Sequence, residues 1–196
     1  MNNFRLRSMF LRSLPFLCII GIPVTAFSAE KEAVNGTSDL KVPPSIQNQH
    51  KDLHARLAAA EHLAGATGEA ARRLAGALEG HFEKEERWAL PILSLLPDLS
   101  HGEMPLHAGD AQQLSSILRK EEAQMLLEHK EIKKILSQLR TAASSEGRKE
   151  VVVFCDDLAR HAKSEEEIFY PAALLVGDYI RLKQDLAAHR AKNIAR

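Results

Sequence analysis

From residue 45 onward, apolar residues return at steps of three and four, the period of an amphipathic helix. A first segment, about 45–64, places Ile46, His50, Leu53, Leu57 and Ala60 on one face. A second, about 67–96, places Leu74, Leu78, His81, Glu85, Trp88 and Ile92 there. A third, about 111–143, gives Leu118, Glu122, Met125, His129, Ile132, Leu136 and Leu139. A fourth, about 149–176, gives Phe154, Leu158, His161, Glu165 and Ile168. Gly65 to Gly68, Pro97 and the stretch Ser144 to Gly147 separate them, and residues 98–110 form the longest loop. Val151 to Val153 is too short a β-branched run to outweigh the helical pattern after it. Four amphipathic helices with short connections predict an all-α, up-down antiparallel four-helix bundle over 45–176. Residues 177–196 read as a C-terminal helical tail, with a short separate helix from Asp178.

Every seam is interrupted by His, and two seams by His followed by Glu. The interruptions repeat. His50-Lys-Asp-Leu53 is similar to His129-Lys-Glu-Ile132, and His81-x-x-x-Glu85-Glu86 is similar to His161-x-x-x-Glu165-Glu166. In both pairs a Pro, Pro91 or Pro171, stands ten residues after the second His. An internal repeat of helix pairs explains this, and it relates the two halves by a pseudo-twofold axis.

Residues i and i+4 lie one above the other on a helix, so each His-x-x-x-Glu pair can face one point in the core. His50, His81, His129 and His161 with Glu85 and Glu165 therefore form the candidate metal-ligand set. Burying such groups without a counter-charge costs several kcal/mol each, on the order of a small domain's whole stability. Two divalent cations with a bridging hydroxide or oxide would balance the two carboxylates. Imidazole and carboxylate donors suit iron, manganese or zinc. His54 is a further candidate ligand, although its counterpart in the repeat is Lys133. Glu86 and Glu166 face outward or support the ligands from behind. Tyr170 is a packing residue or a donor to the site, and Glu122 a bundle-end position or a charge relay. His62, His101, His107 and His189 read as surface residues, and Cys155 as a small core hydrophobe.

Charge and composition narrow the picture further. Lys+Arg and Asp+Glu balance at 26 each, without a basic stripe, so nucleic-acid binding has no support. Arg5, Arg7 and Arg12 precede the apolar run 14–27, and no acidic residue appears before Glu30. This is the pattern of a signal peptide over 1–28, with cleavage after residue 26, 28 or 29. Residues 29–44 form a polar linker. Removing residues 1–28 takes away three Arg and no acid, leaving 23 basic and 26 acidic groups. It also leaves Cys155 as the single cysteine, so no internal disulfide can hold the exported domain. The expected location is periplasmic or secreted, without stable membrane association once the signal is gone.

At these residues the chain resembles the hemerythrin-like, or HHE cation-binding, family. The resemblance rests on His50-Lys-Asp-Leu, His81-Phe-Glu-Lys-Glu-Glu with Leu90-Pro91, Glu128-His129-Lys-Glu-Ile, and His161-Ala-Lys-Ser-Glu-Glu with Tyr170-Pro171. It implies a non-haem di-iron centre, oxo- or hydroxo-bridged, with His50, His81, Glu85, His129, His161 and Glu165 as ligands. It implies a small oxidant such as dioxygen, peroxide or nitric oxide as the partner of that centre. One position departs from the oxygen-carrying members, which have a second His four residues after the third-helix His. Lys133 stands there in this chain. Binding or sensing of an oxidant is the favoured reading. The alternatives are a di-iron oxidase or peroxidase, and a cation-binding protein without oxygen chemistry. Ferritin-like di-iron enzymes carry Glu-x-x-His, whereas positions 78, 126 and 158 here are Leu.

Overall fold

The computed structural model describes residues 39–194. The signal peptide expected at 1–28 and most of the linker lie outside the described residues. The remainder is an up-down four-helix bundle, and no strand occurs among the described residues. Helix α1 is Pro44–Glu61 and α2 is Gly65–Lys84. A π-helical turn, Glu85–Ala89, a 3-10 stretch, Leu90–Leu95, and the short α3, Leu96–Ser100, complete the second rod. Helix α4 is Ala108–Ser145 and α5 is Lys149–Ser164. A second π-helical turn, Glu165–Phe169, leads into α6, Tyr170–Ile194. No helix among the described residues is long and apolar enough to cross a membrane.

Local chemistry sets the ends of these rods. Pro44 starts α1, where its missing N–H costs nothing. Gly65 turns the chain into α2 at φ +80°, a conformation that a side chain would strain. Glu146, from the α4–α5 turn, accepts hydrogen bonds from the Ala66 and Thr67 N–H groups at 2.8 and 3.4 Å. A carboxylate there satisfies orphan donors and complements the helix dipole.

The two π-helical turns decide the register beyond the site. Each begins at a seam glutamate, and the Leu90 and Tyr170 N–H groups reach back to the Glu85 and Glu165 carbonyls. Pro91 and Pro171 follow immediately. A proline cannot donate to the carbonyl four residues before it and crowds it, which the wider turn relieves. The extra residue shifts the fourth seam, so Tyr170, Ala173, Val176 and Ile180 are buried after Glu165. Ile168, expected on the seam, is instead 58% exposed. Trp88 is half-buried, while Ala89, Leu90 and Ile92 enter the core.

A second difference concerns the tail. No separate helix starts at Asp178, because α6 runs unbroken through Gly177. That glycine is a site of close approach: a Cβ there would lie 2.2 Å from Ser115 Oγ on α4. It lets α6 lie tightly against α4.

The apolar core is split in two. One cluster gathers Leu53, Leu57, Leu74, Leu78, Ile132, Leu136, Leu139, Phe154 and Leu158. The other gathers Leu90, Ile92, Leu118, Met125, Tyr170, Val176 and Ile180. The seam histidines and glutamates form a polar layer between them. Cys155 lies in the first cluster, and burial pushes its thiol up to about 12, which leaves it inert as a nucleophile.

Candidate metal centre

All six seam residues meet in that layer, and each is almost fully buried. They form two groups: His50, His161, Glu85 and Glu165, and His81, His129, Glu85 and Glu165. Within each group the candidate ligand atoms lie within 4.8 Å of one another. The imidazoles belong to one group each, and the two carboxylates to both. His54 joins neither group. It is exposed, with its ring 4.5 Å from Phe82, so it is not placed as a spare ligand. Glu122 is half-buried and likewise outside both groups.

The inner atoms converge without satisfying one another. His161 Nε2 is 2.7 Å from Glu165 Oε1, His81 Nε2 is 3.1 Å from Glu85 Oε1, and His50 Nε2 is 3.5 Å from Glu165 Oε1. Despite these separations, Nε2 of His50, His81 and His161, Glu85 Oε2 and Glu165 Oε1 have no partner of hydrogen-bond geometry. Orphaned polar atoms so deep in a core carry a large desolvation cost. Lone pairs of nitrogen and carboxylate oxygen aimed at shared points fit cations, which would remove that cost.

The outer ring nitrogens carry a separate message. His50 Nδ1 donates to Glu86 Oε1, His81 Nδ1 to Glu128 Oε2, and His129 Nδ1 to Glu166 Oε1, each at 2.9 Å. An ionised carboxylate can only accept, so the proton sits on Nδ1 and Nε2 keeps its lone pair for a metal. Two of these carboxylates are themselves held by lysines. Lys84 bonds Glu128, and Lys133 Nζ lies 2.7 Å from both oxygens of Glu166. Both carboxyls are thereby held below their ordinary range, although burial acts against it. Glu86 and Glu166 thus support His50 and His129 rather than standing idle at the surface. The part of Glu128 was not legible in the sequence, because a glutamate beside one histidine on a helix faces a histidine of the neighbouring helix.

His161 is the exception. Its Nδ1 is buried and has no partner among the described residues. Tyr170 supplies another one-sided feature, since its hydroxyl donates to Glu85 Oε1. Its phenol is raised well above its usual range by burial and by the Glu85 and Glu165 carboxylates, so it stays a donor.

Protons and cations compete for this layer. Burial disfavours a charged His129, but the Glu165 and Glu85 carboxylates outweigh it and push the imidazole up to about 9. His50 and His81 are raised for similar reasons, against the same desolvation. Burial also opposes ionised Glu165, yet the close approach of the His129, His161 and His50 imidazoles holds it well below its ordinary value. Without metal, the same carboxylates therefore favour protonation of His129, His50 and His81.

Comparison with known proteins gives one match of substance. The family model for the hemerythrin HHE cation-binding domain matches residues 44–173, and again residues 122–192. The second match falls on the later helix pair, in keeping with an internal repeat. No curated protein and no solved structure matches the chain. With the family model covering most of its length and a buried histidine–glutamate layer fit for cations, the chain belongs to the hemerythrin HHE cation-binding domain family.

Proposed function

We propose that the two groups hold a pair of iron ions and that this centre meets a small oxidant, such as dioxygen, peroxide or nitric oxide. The observation that carries the reading is two private pairs of imidazoles around two shared carboxylates. Nitrogen and oxygen donors without thiolate suit iron better than soft metals, with manganese and zinc as rivals. Bound iron supplies a redox couple and a coordination position for the oxidant. The chain supplies the rest. Glu86, Glu128 and Glu166 fix three imidazoles in the ligating tautomer. Two apolar clusters screen the layer from bulk water on both sides.

Lys133 bears on what the oxidant would do there. Its ammonium is tied to Glu166 at the edge of the bundle, and no fifth imidazole joins either group. We therefore favour oxidation on contact with air over reversible carriage of dioxygen. The test is anaerobic purification, metal counting, and optical spectroscopy as the reduced protein meets air, followed by evacuation. Close to two iron ions per chain and a persistent oxidised spectrum are expected. A well-folded protein holding no metal would sink the metal assignment, and recovery of the reduced spectrum under vacuum would sink the oxidant assignment.

We also propose export, on the strength of the basic and apolar N-terminal pattern. Mass spectrometry of the protein from its native source should find the chain starting between residues 27 and 30. A chain starting at Met1 or Asn2 would contradict this.

A further inference from the structure

Helix α6 outlives the bundle that supports it. Ala173, Val176, Gly177 and Ile180 face the core, but every residue from Arg181 to Ile194 is exposed. That projecting piece is about 20 Å long at the helical rise. An isolated helix of about that many residues is marginal in water unless an apolar face is covered.

Such a face exists. Leu175, Tyr179, Leu182 and Leu186 recur at steps of four, three and four. Leu175, Leu182 and Leu186 are 67%, 57% and 50% exposed. At about 100° per residue this stripe points away from the core-facing residues of α6. Near the bundle, Leu175 and Tyr179 border an apolar groove shared with Leu96 and Leu99 of α3. Among the described residues nothing covers the stripe beyond the bundle.

The spacing is that of a heptad seam, with Leu175 and Leu182 at d and Tyr179 and Leu186 at a. The flanking charges then fall into order. Lys183 and Arg190 occupy two e positions, and Asp178 and Asp185 two g positions, with Val176 at the e position within the bundle and Lys192 at the g position past the last apolar residue of the stripe. In a parallel pair each g residue meets the next e residue of the partner, so Asp178 meets Lys183 and Asp185 meets Arg190. In an antiparallel pair e meets e and g meets g, which sets like charges together. Asp185 and Arg190 make no ion pair among the described residues, whereas Asp178 already bonds Arg119 and Arg181 within the chain.

We propose that α6 is the dimerisation element of this protein, and that a second copy covers the Leu175–Leu186 stripe as a parallel, two-stranded coiled coil. The two bundles then sit on opposite sides of the paired helices, with their metal layers outside the interface.

Sedimentation velocity of the purified mature protein, without residues 1–28, at tens of micromolar should give twice the chain mass. The double variant Leu182→Glu and Leu186→Glu alters only exposed positions beyond the bundle. It should keep its metal content and the melting of its bundle while sedimenting as a monomer. His189→Cys, at the next d position, tests the direction, because only a parallel pair brings the two copies of this residue together. Air oxidation should link most of the chains, and reduction should release them. A monomeric wild type overturns the proposal, whether its stripe meets a different protein, a lipid surface or an N-terminal segment. An undiminished mass in the double variant, or a dimer that the cysteine does not link, overturns it equally.

Discussion

The two helix pairs carry the same candidate ligands in different surroundings. His50 and His129, His81 and His161, and Glu85 and Glu165 correspond one to one. Their neighbours do not. Glu128 stands before His129 and holds His81, whereas Gln49 stands before His50 and makes no hydrogen bond to His161 among the described residues. Lys133 braces Glu166, whereas its counterpart His54 lies against Phe82. Tyr170 donates to Glu85, whereas the corresponding Leu90 offers Glu165 nothing. A repeat can thus keep the donors that a cation needs while its halves set their basicity and rigidity separately. The position formed by His81 and His129 has carboxylate support on both imidazoles, and the position formed by His50 and His161 on one.

The harshest test removes what the two positions share. Glu85→Ala should empty both, because each group includes that carboxylate. His161→Ala should empty chiefly one. Metal counting on the two variants decides it, and an equal loss from both would mean that the positions fill only together. Glu85→Ala should also abolish the thermal stabilisation that metal gives the wild type, since binding free energy is folding free energy at such a site.

Acid and base act on the layer in opposite directions with and without metal. The depressed Glu165 stabilises the metal-free bundle above its unfolded value of 4.5, and this is lost as pH falls through its folded value. The raised His129 stabilises it fully below 6.5, and this fades as pH rises toward about 9. Metal-free protein should therefore be most stable between about pH 4.5 and 6.5. Metal needs neutral imidazoles, so the increment it adds to stability should grow with pH over the range where His129 loses its proton. Urea unfolding with and without metal, across pH, compares the two. A metal-free optimum above pH 8 would contradict the charge assignment.

Outer support should be worth less than a ligand but remain measurable. Glu128→Gln should weaken the His81–His129 position by about 10- to 100-fold, the usual scale for such partners. Gln49→Glu should tighten the other position and narrow the gap between two binding steps. Titration with zinc or cobalt against a competing chelator reads both. A single binding step in the wild type, unaltered in either variant, would remove the inequivalence.

The smallest effect belongs to Tyr170→Phe. Losing one hydrogen bond to a buried carboxylate should cost the metal-free bundle about 2 kcal/mol. With metal on Glu85 the cost should shrink. No loss in either state would assign Tyr170 to packing alone.

Much of this molecule was legible in its sequence, because helix periodicity is local and polar residues on an apolar seam are conspicuous. His81 with Glu85, and His161 with Glu165, stand one turn apart on a face that otherwise carries Leu. Covalent spacing alone therefore determined the bundle and its six inward residues. Tertiary structure decided what lies between helices. Which glutamate supports which histidine depends on neighbouring rods, as Glu128 and His81 are 47 residues apart. The π-helical turns at Glu85 and Glu165 arose from a conflict between proline and the helix ladder, and they sent Ile168 outward and Tyr170 inward. Gly177 looked like a place to stop, yet its bare backbone is what lets α4 come close enough for α6 to continue. A one-dimensional pattern specifies the face that each helix buries, but the partner of each polar atom is fixed only when those faces pack.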